Sequence, residues 1–63
     1  LFHAQQPSAT LYAARGQTLM MLGQFEQAVA DFSMAIQLEP NNEVWHRALY
    51  MARLEIDPSP AQR

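Results

Sequence analysis

The residues whose types and spacing come nearest to a metal site are Glu43 and His46. Side chains three positions apart lie on the same side of a helix, and di-metal sites in helical bundles use such Glu-x-x-His pairs. Those sites need a second copy of the pair, which this sequence lacks. We therefore expect no metal and no cofactor, and interpret Glu43 as an acid near a helix start and His46 as a surface histidine.

Enzyme signatures are also missing from the sequence. It contains no cysteine nucleophile, no glycine-rich phosphate loop and no paired carboxylates beside a histidine. With 63 residues, the chain buries only about 60% of the surface that its unfolded form exposes, so one small core is the most it can form. We expect a protein that is not an enzyme.

The composition favours a packed chain and argues against two kinds of partner. Hydrophobic residues make up 49% of the sequence and charged residues 16%, with a net charge of −2. We therefore expect neither nucleic acid nor an anionic membrane as a partner. No apolar run approaches the ~20 residues of a membrane span. Because the sequence starts at Leu1, we expect a piece of a longer protein.

Proline and glycine divide the chain into segments with helical hydrophobic spacing. Ser8 can cap a helix after Pro7, Gly23 suits the left-handed residue after a helix, and Pro40 ends the next helix. Asn41 and Asn42 then supply turn and cap residues for the helix that follows. We predict an all-α fold with four parts. They are the end of a preceding helix (1–7), an αα-hairpin (8–42), a further helix (43–57) and an extended tail (58–63).

Each predicted helix carries an apolar stripe that indicates its buried face. The stripes are Leu11, Tyr12, Arg15, Leu19 and Leu22; then Phe25, Ala28, Phe32, Ala35 and Ile36; then Trp45, Ala48, Leu49, Ala52 and Ile56, with Val44, Met51 and Leu54 on a second face. Gly16 lies in the middle of a helix, where glycine costs ~1 kcal/mol relative to alanine. Ala28 and Ala35 lie at the centre of the facing stripe, and a close approach of the two hairpin helices would explain all three small residues.

Residues Ala9 to Asn42 resemble one 34-residue tetratricopeptide repeat. The residues that match its signature are Tyr12, Gly16, Leu19, Phe25, Ala28, Phe32, Ala35 and Pro40. Arg15 replaces the usual apolar residue, but Arg15-Gly16 together with Asp31-Phe32 is similar to a recurring variant of the repeat. This suggests an Arg15–Asp31 ion pair, with two solvated charges as the alternative. The fold implied is a hairpin of an α-solenoid, a fragment of a right-handed superhelix.

The flanking segments extend the resemblance. Residues 1–7 resemble the end of a preceding repeat, and residues 43–57 resemble the next repeat only loosely. Tyr50 stands where that repeat has a small residue, and Arg53 where it has an apolar one. We therefore predict that 43–57 is a capping helix, with an ordinary repeat cut short as the alternative.

The resemblance implies a non-catalytic protein–protein interaction module, which presents a concave surface to a peptide or protein or acts as a scaffold in a larger assembly. The partner-binding residues carried over are Thr10, Ala13, Gln17, Met20, Met21, Asn41, Asn42, Arg47 and Met51, with Val44 and Glu55 beside them. Met20 is equally well interpreted as hairpin core. We expect a cytoplasmic or nuclear location.

Two further expectations concern partners. Family members that grip the C-terminal carboxylates of heat-shock chaperones place Lys, Asn and Arg on this surface, where the chain has Ala13 and Gln17 and no lysine. We therefore expect no carboxylate clamp. The alternative function is a structural end of the solenoid, or an element that self-associates through the N-terminal flank, with no peptide ligand.

Overall fold

The structure, a computed structural model, describes residues 8–57, which form three α-helices. Helix α1 spans Ala9–Met21, α2 spans Phe25–Leu38 and α3 spans Glu43–Ile56. These residues contain no strand, which agrees with the all-α prediction. The predicted end of a preceding helix at 1–7 and the predicted tail at 58–63 lie outside the described residues. Within 8–57, no helix is both long and apolar enough to span a membrane.

The helix ends follow from local chemistry that the sequence shows. The Oγ of Ser8 accepts a hydrogen bond from the Leu11 N–H at 3.0 Å, which caps α1. After α1 the chain turns at Gly23, whose φ of 80° is left-handed and suits glycine. The Oδ1 of Asn42 accepts from the Val44 N–H at 2.9 Å and caps α3. The predicted breaks therefore lie where the chain turns.

Helix α2 is central and packs against α1 and α3. The buried core contains one large side chain, Phe32, and otherwise alanines; its members are Ala9, Ala13, Ala28, Phe32, Ala35 and Ala52. Half-buried residues surround it, namely Tyr12, Leu19, Met20, Val29, Trp45, Ala48 and Leu49. Alanine contacts let the helix axes approach closely, so Phe32 fills most of the remaining space.

The predicted stripe of α1 is partly wrong. Leu11 is 62% exposed and Leu22 is similarly exposed, whereas Ala9, Ala13 and Gly16 are buried. These three positions have the spacing of a single helix face. The stripe prediction favoured large apolar residues, but a close helix contact buries the face with the smallest side chains. On α3, Ile56 of the predicted stripe is also exposed.

The signature residues of the hairpin mostly lie in or beside the core. Gly16, Ala28, Phe32 and Ala35 are buried; Tyr12, Leu19 and Phe25 are half-buried; and Pro40 lies exposed in the turn before α3. A Cβ placed on Gly16 would lie 2.9, 3.0 and 3.1 Å from three ring atoms of Phe32. The expected close approach at this glycine is confirmed.

The predicted ion pair between Arg15 and Asp31 is present and links α1 to α2. The Nε of Arg15 donates to Oδ2 of Asp31 at 2.7 Å, and Nη2 donates to Oδ1 at 2.8 Å. The guanidinium also lies 5.7 Å from the centre of the Tyr12 ring. The alternative of two solvated charges is wrong, because Asp31 is buried. The hydrogen bonds from Arg15 hold the pKa of Asp31 below its ordinary value of 3.8.

We expect Arg15→Ala to destabilise the fold more than Asp31→Ala. Loss of the arginine leaves the buried carboxylate of Asp31 unpaired, whereas loss of the aspartate leaves Arg15 exposed to water, which solvates it. Because the pKa of Asp31 is lower in the folded state, the stabilisation is complete above its unfolded pKa and is lost as the pH falls through its folded pKa. Urea unfolding at neutral pH measures the order of the two variants.

The same experiment repeated while the pH is lowered through the folded pKa of Asp31, which lies below its ordinary value, is the control for the charge. As Asp31 becomes protonated, the difference between the wild type and Arg15→Ala should shrink. Equal effects of the two substitutions at neutral pH, or a difference that persists undiminished in acid, would contradict this account of the pair.

The turn between α2 and α3 is held by side-chain hydrogen bonds that the sequence did not suggest. Glu39 Oε1 accepts from Asn42 Nδ2 at 3.0 Å and from Trp45 Nε1 at 2.9 Å. These bonds, led by the one from Asn42, lower the pKa of Glu39. His46 Nε2 donates to the carbonyl of Pro40 at 2.7 Å. Together these bonds fix the start of α3 relative to the end of α2.

Candidate functional site

A groove of about 320 Å³ lies between α1 and α3. Its lining residues are Gln17, Met20 and Met21 from α1, Phe32 from α2, and Ala48 and Met51 from α3. We call this surface the methionine groove. Because Phe32 is fully buried and meets Gly16, α2 supplies the base of the groove, and α1 and α3 supply its walls.

The methionine groove is uncharged and flexible. Met21 is 86% exposed and Met51 is also exposed, while Met20 is half-buried against the core. Methionine side chains have three rotatable bonds and a polarisable sulfur, so they adapt to contacts of different shape. The amide of Gln17 is the one polar side chain of the lining, and it can both donate and accept hydrogen bonds. The groove can therefore bind an apolar side chain and hydrogen-bond to a nearby backbone.

The structure brings together four of the residues predicted to contact a partner, namely Gln17, Met20, Met21 and Met51. The other predicted residues do not line this groove. Thr10, Asn41, Arg47, Val44 and Glu55 are exposed elsewhere on the surface, and Asn42 is half-buried as the cap of α3.

Ala13 needs a correction, because it is buried in the core and offers a partner no accessible surface. It belongs to the small-residue face of α1 together with Ala9 and Gly16. On α1 alone, Ala13 lies on the side assigned to a partner. In the fold, the close packing of the helices covers it.

Phe32 and Ala48 line the methionine groove, although their places in the apolar stripes predicted packing alone. Ala48 lies one turn before Met51 on the same side of α3. A small side chain at this position leaves the space between α1 and α3 open above Phe32. In the sequence, a single alanine such as Ala48 is as typical of a core contact as of a groove wall, so it did not indicate the groove.

The Glu43–His46 pair does not line the methionine groove. The Nε2 of His46 donates to the Pro40 carbonyl, so this nitrogen is occupied by a structural bond. Residues 8–57 contain no group of three or more His, Cys, Asp or Glu side chains that could hold a metal ion. The Glu43–His46 pair is therefore not part of the candidate site.

Comparisons with known proteins give a family match. A family model described as tetratricopeptide repeat matches residues 9–42, which is more than half of the chain. The match covers α1, α2 and the turn that leads to α3. No curated protein and no solved structure matches the chain.

Proposed function

The chain belongs to the tetratricopeptide repeat family, and we propose that it binds an uncharged, apolar segment of a partner protein in the methionine groove. Repeats of this family generally mediate protein–protein interaction or scaffolding and are typically non-catalytic. The observation that carries the proposal is the grouping of three methionines and one glutamine around a single open groove.

Exposure of the methionines supports a contact role over a purely structural one. Met21 leaves most of its apolar surface in water, so it contributes little to the core of the described chain. Clustered exposed apolar groups beside a polar amide mark surfaces that other molecules cover. Burial of such groups by a partner would gain about 25 cal/mol for each Å² of apolar area removed from water.

Charges limit which partners suit the groove. None of its lining residues is charged, so a carboxylate or ammonium group buried there would lose its hydration without finding a counter-ion. Arg47 precedes Ala48 on α3 and is exposed outside the lining. The surface therefore favours apolar side chains in the groove and leaves charged neighbours of the partner segment in water.

Peptide selection tests the proposal, with Met21→Glu as the diagnostic variant. We expect the 63-residue chain to select apolar peptides from a random display library, with affinities of roughly 10 to 100 μM. Met21→Glu should weaken the selected peptides at least about tenfold, because it places a charge against their apolar side chains. Titration calorimetry measures the affinities, and circular dichroism checks that the variant stays helical.

The matched control is Ala14→Glu, an exposed position on α1 that does not line the groove. This variant gains the same charge and should keep the affinity. A peptide that ends in Glu-Glu-Val-Asp should show no binding, since its acids need cations that the groove lacks. No selected binders, or binders equally weakened by both variants, would refute the groove as the site.

A further inference from the structure

A second groove, of about 430 Å³, lies where α3 meets α2 and shares no lining residue with the methionine groove. We call it the outer groove. Its lining residues are Val29 from α2 and Tyr50, Arg53, Leu54, Ile56 and Asp57 from α3 and its end. Most of these residues are apolar, yet Tyr50 is 61% exposed and Ile56 is also exposed. Exposed apolar surface of this kind is a place where another chain packs.

A helix packed on α3 in the way that α2 packs on α1 does not suit the outer groove. Tyr50 and Arg53 follow Gly16 and Leu19 by 34 positions, which is one repeat length. On α1, even a Cβ at Gly16 would lie 2.9 Å from the Phe32 ring. The much larger side chain of Tyr50 therefore prevents the equivalent approach to α3, and Arg53 places a charge where Leu19 is packed.

The charges of the outer groove are complementary to each other across a two-fold axis. Arg53 and Asp57 lie one helical turn apart and have opposite signs. Within residues 8–57 neither of them forms an ion pair. When two copies meet through a two-fold axis that runs perpendicular to α3 at the level of Glu55, their α3 helices run antiparallel, and Arg53 of each copy faces Asp57 of the other.

We infer that a second copy of this chain binds in the outer groove. Leu54 of each copy packs against Ile56 of the other copy, and two Arg53–Asp57 pairs flank this contact. The interface uses only the last turns of α3 and part of α2, so it belongs to the class of small protein–protein interfaces that form reversibly. Because the methionine groove stays free, the dimer presents two such grooves and can bind two segments of one partner.

Paired charge-reversal variants of the full 63-residue chain test this inference. Sedimentation equilibrium should show a monomer–dimer equilibrium for the wild type. Arg53→Asp and Asp57→Arg should each weaken self-association by about tenfold or more, because like charges then face each other. An equimolar mixture of the two variants should associate again, since the acidic pair on one variant meets the arginine pair on the other.

The mixture distinguishes a contact between two chains from a structural change within one helix. Mixing restores association only if the substituted residues meet across the interface. Arg47→Asp is the matched control, because Arg47 is exposed on α3 but lines neither groove. It should leave the association unchanged, and circular dichroism should show equal helix content in all variants.

Three outcomes would overturn the inference. The first is a monomer at every accessible concentration. The second is self-association that survives both charge reversals, as contact through the N-terminal flank would produce. The third is a mixture of the two variants that fails to associate.

Discussion

Replacing Phe32 by alanine should unfold a large part of the population at room temperature. Phe32 is the largest fully buried side chain of residues 8–57, at 1% exposure, and it touches the core on one side and the methionine groove on the other. Truncation of a buried phenylalanine to alanine costs about 3 to 5 kcal/mol. A single core in a chain of this size rarely supplies more than about 3 to 5 kcal/mol in total. The loss is therefore comparable with the whole stability.

Circular dichroism during urea unfolding measures this effect. Phe25→Ala is the control, because it removes the same atoms from a half-buried position at the start of α2. It should cost clearly less and leave a cooperative transition. If Phe32→Ala also retained a cooperative transition close to that of the wild type, Phe32 would not be the centre of the core.

Helix ends could be predicted from the sequence because their determinants are local. The capping bond of Ser8 involves only the first turn of α1, and the role of Gly23 depends only on its own φ angle. The same holds for Asn42, whose side chain reaches the second residue after it. Each of these interactions depends on residues no more than three positions apart, so the sequence shows both partners side by side.

Buried faces could be predicted less well, because they depend on the distance between helices. Leu11 and Leu22 lie beside the face that α1 buries, and the residues that do lie on that face are small. Hydrophobicity alone ranks leucine above alanine, while a close contact excludes leucine by its size. The close contact itself was predicted from the unfavourable glycine at Gly16 together with Ala28 and Ala35 on the facing helix.

The methionine groove, too, could be predicted from the sequence only in part. Gln17, Met20, Met21 and Met51 were found from the resemblance, which records the helix faces that meet at a concave surface. Phe32 and Ala48 complete the groove only once α2 and α3 are placed against α1. The bond from Trp45 to Glu39 was missed because it joins residues six apart across a turn, whose path the sequence did not reveal.

Substituting leucine for Gly16 should destabilise the hairpin by roughly 1 to 3 kcal/mol, although leucine favours helix more than glycine does. The helix preference would add about 1 kcal/mol of stability if the site were open. The Phe32 ring already lies within 2.9 Å of the first added carbon, so the helices must move apart to admit the side chain. Ala14→Leu, on the exposed side of α1, is the matched control and should be close to neutral.

A double-mutant cycle can assign this cost to the Phe32 ring itself. Gly16→Ala should destabilise the wild type, because its Cβ meets the ring, and should stabilise the Phe32→Leu variant, where the ring is absent and the helix preference of alanine remains. The reversal of sign would appear as a coupling free energy of about 0.5 to 3 kcal/mol in urea unfolding. Additive effects would mean that Gly16 is required for a reason other than contact with Phe32, and the close approach of α1 and α2 would no longer explain its place in the helix.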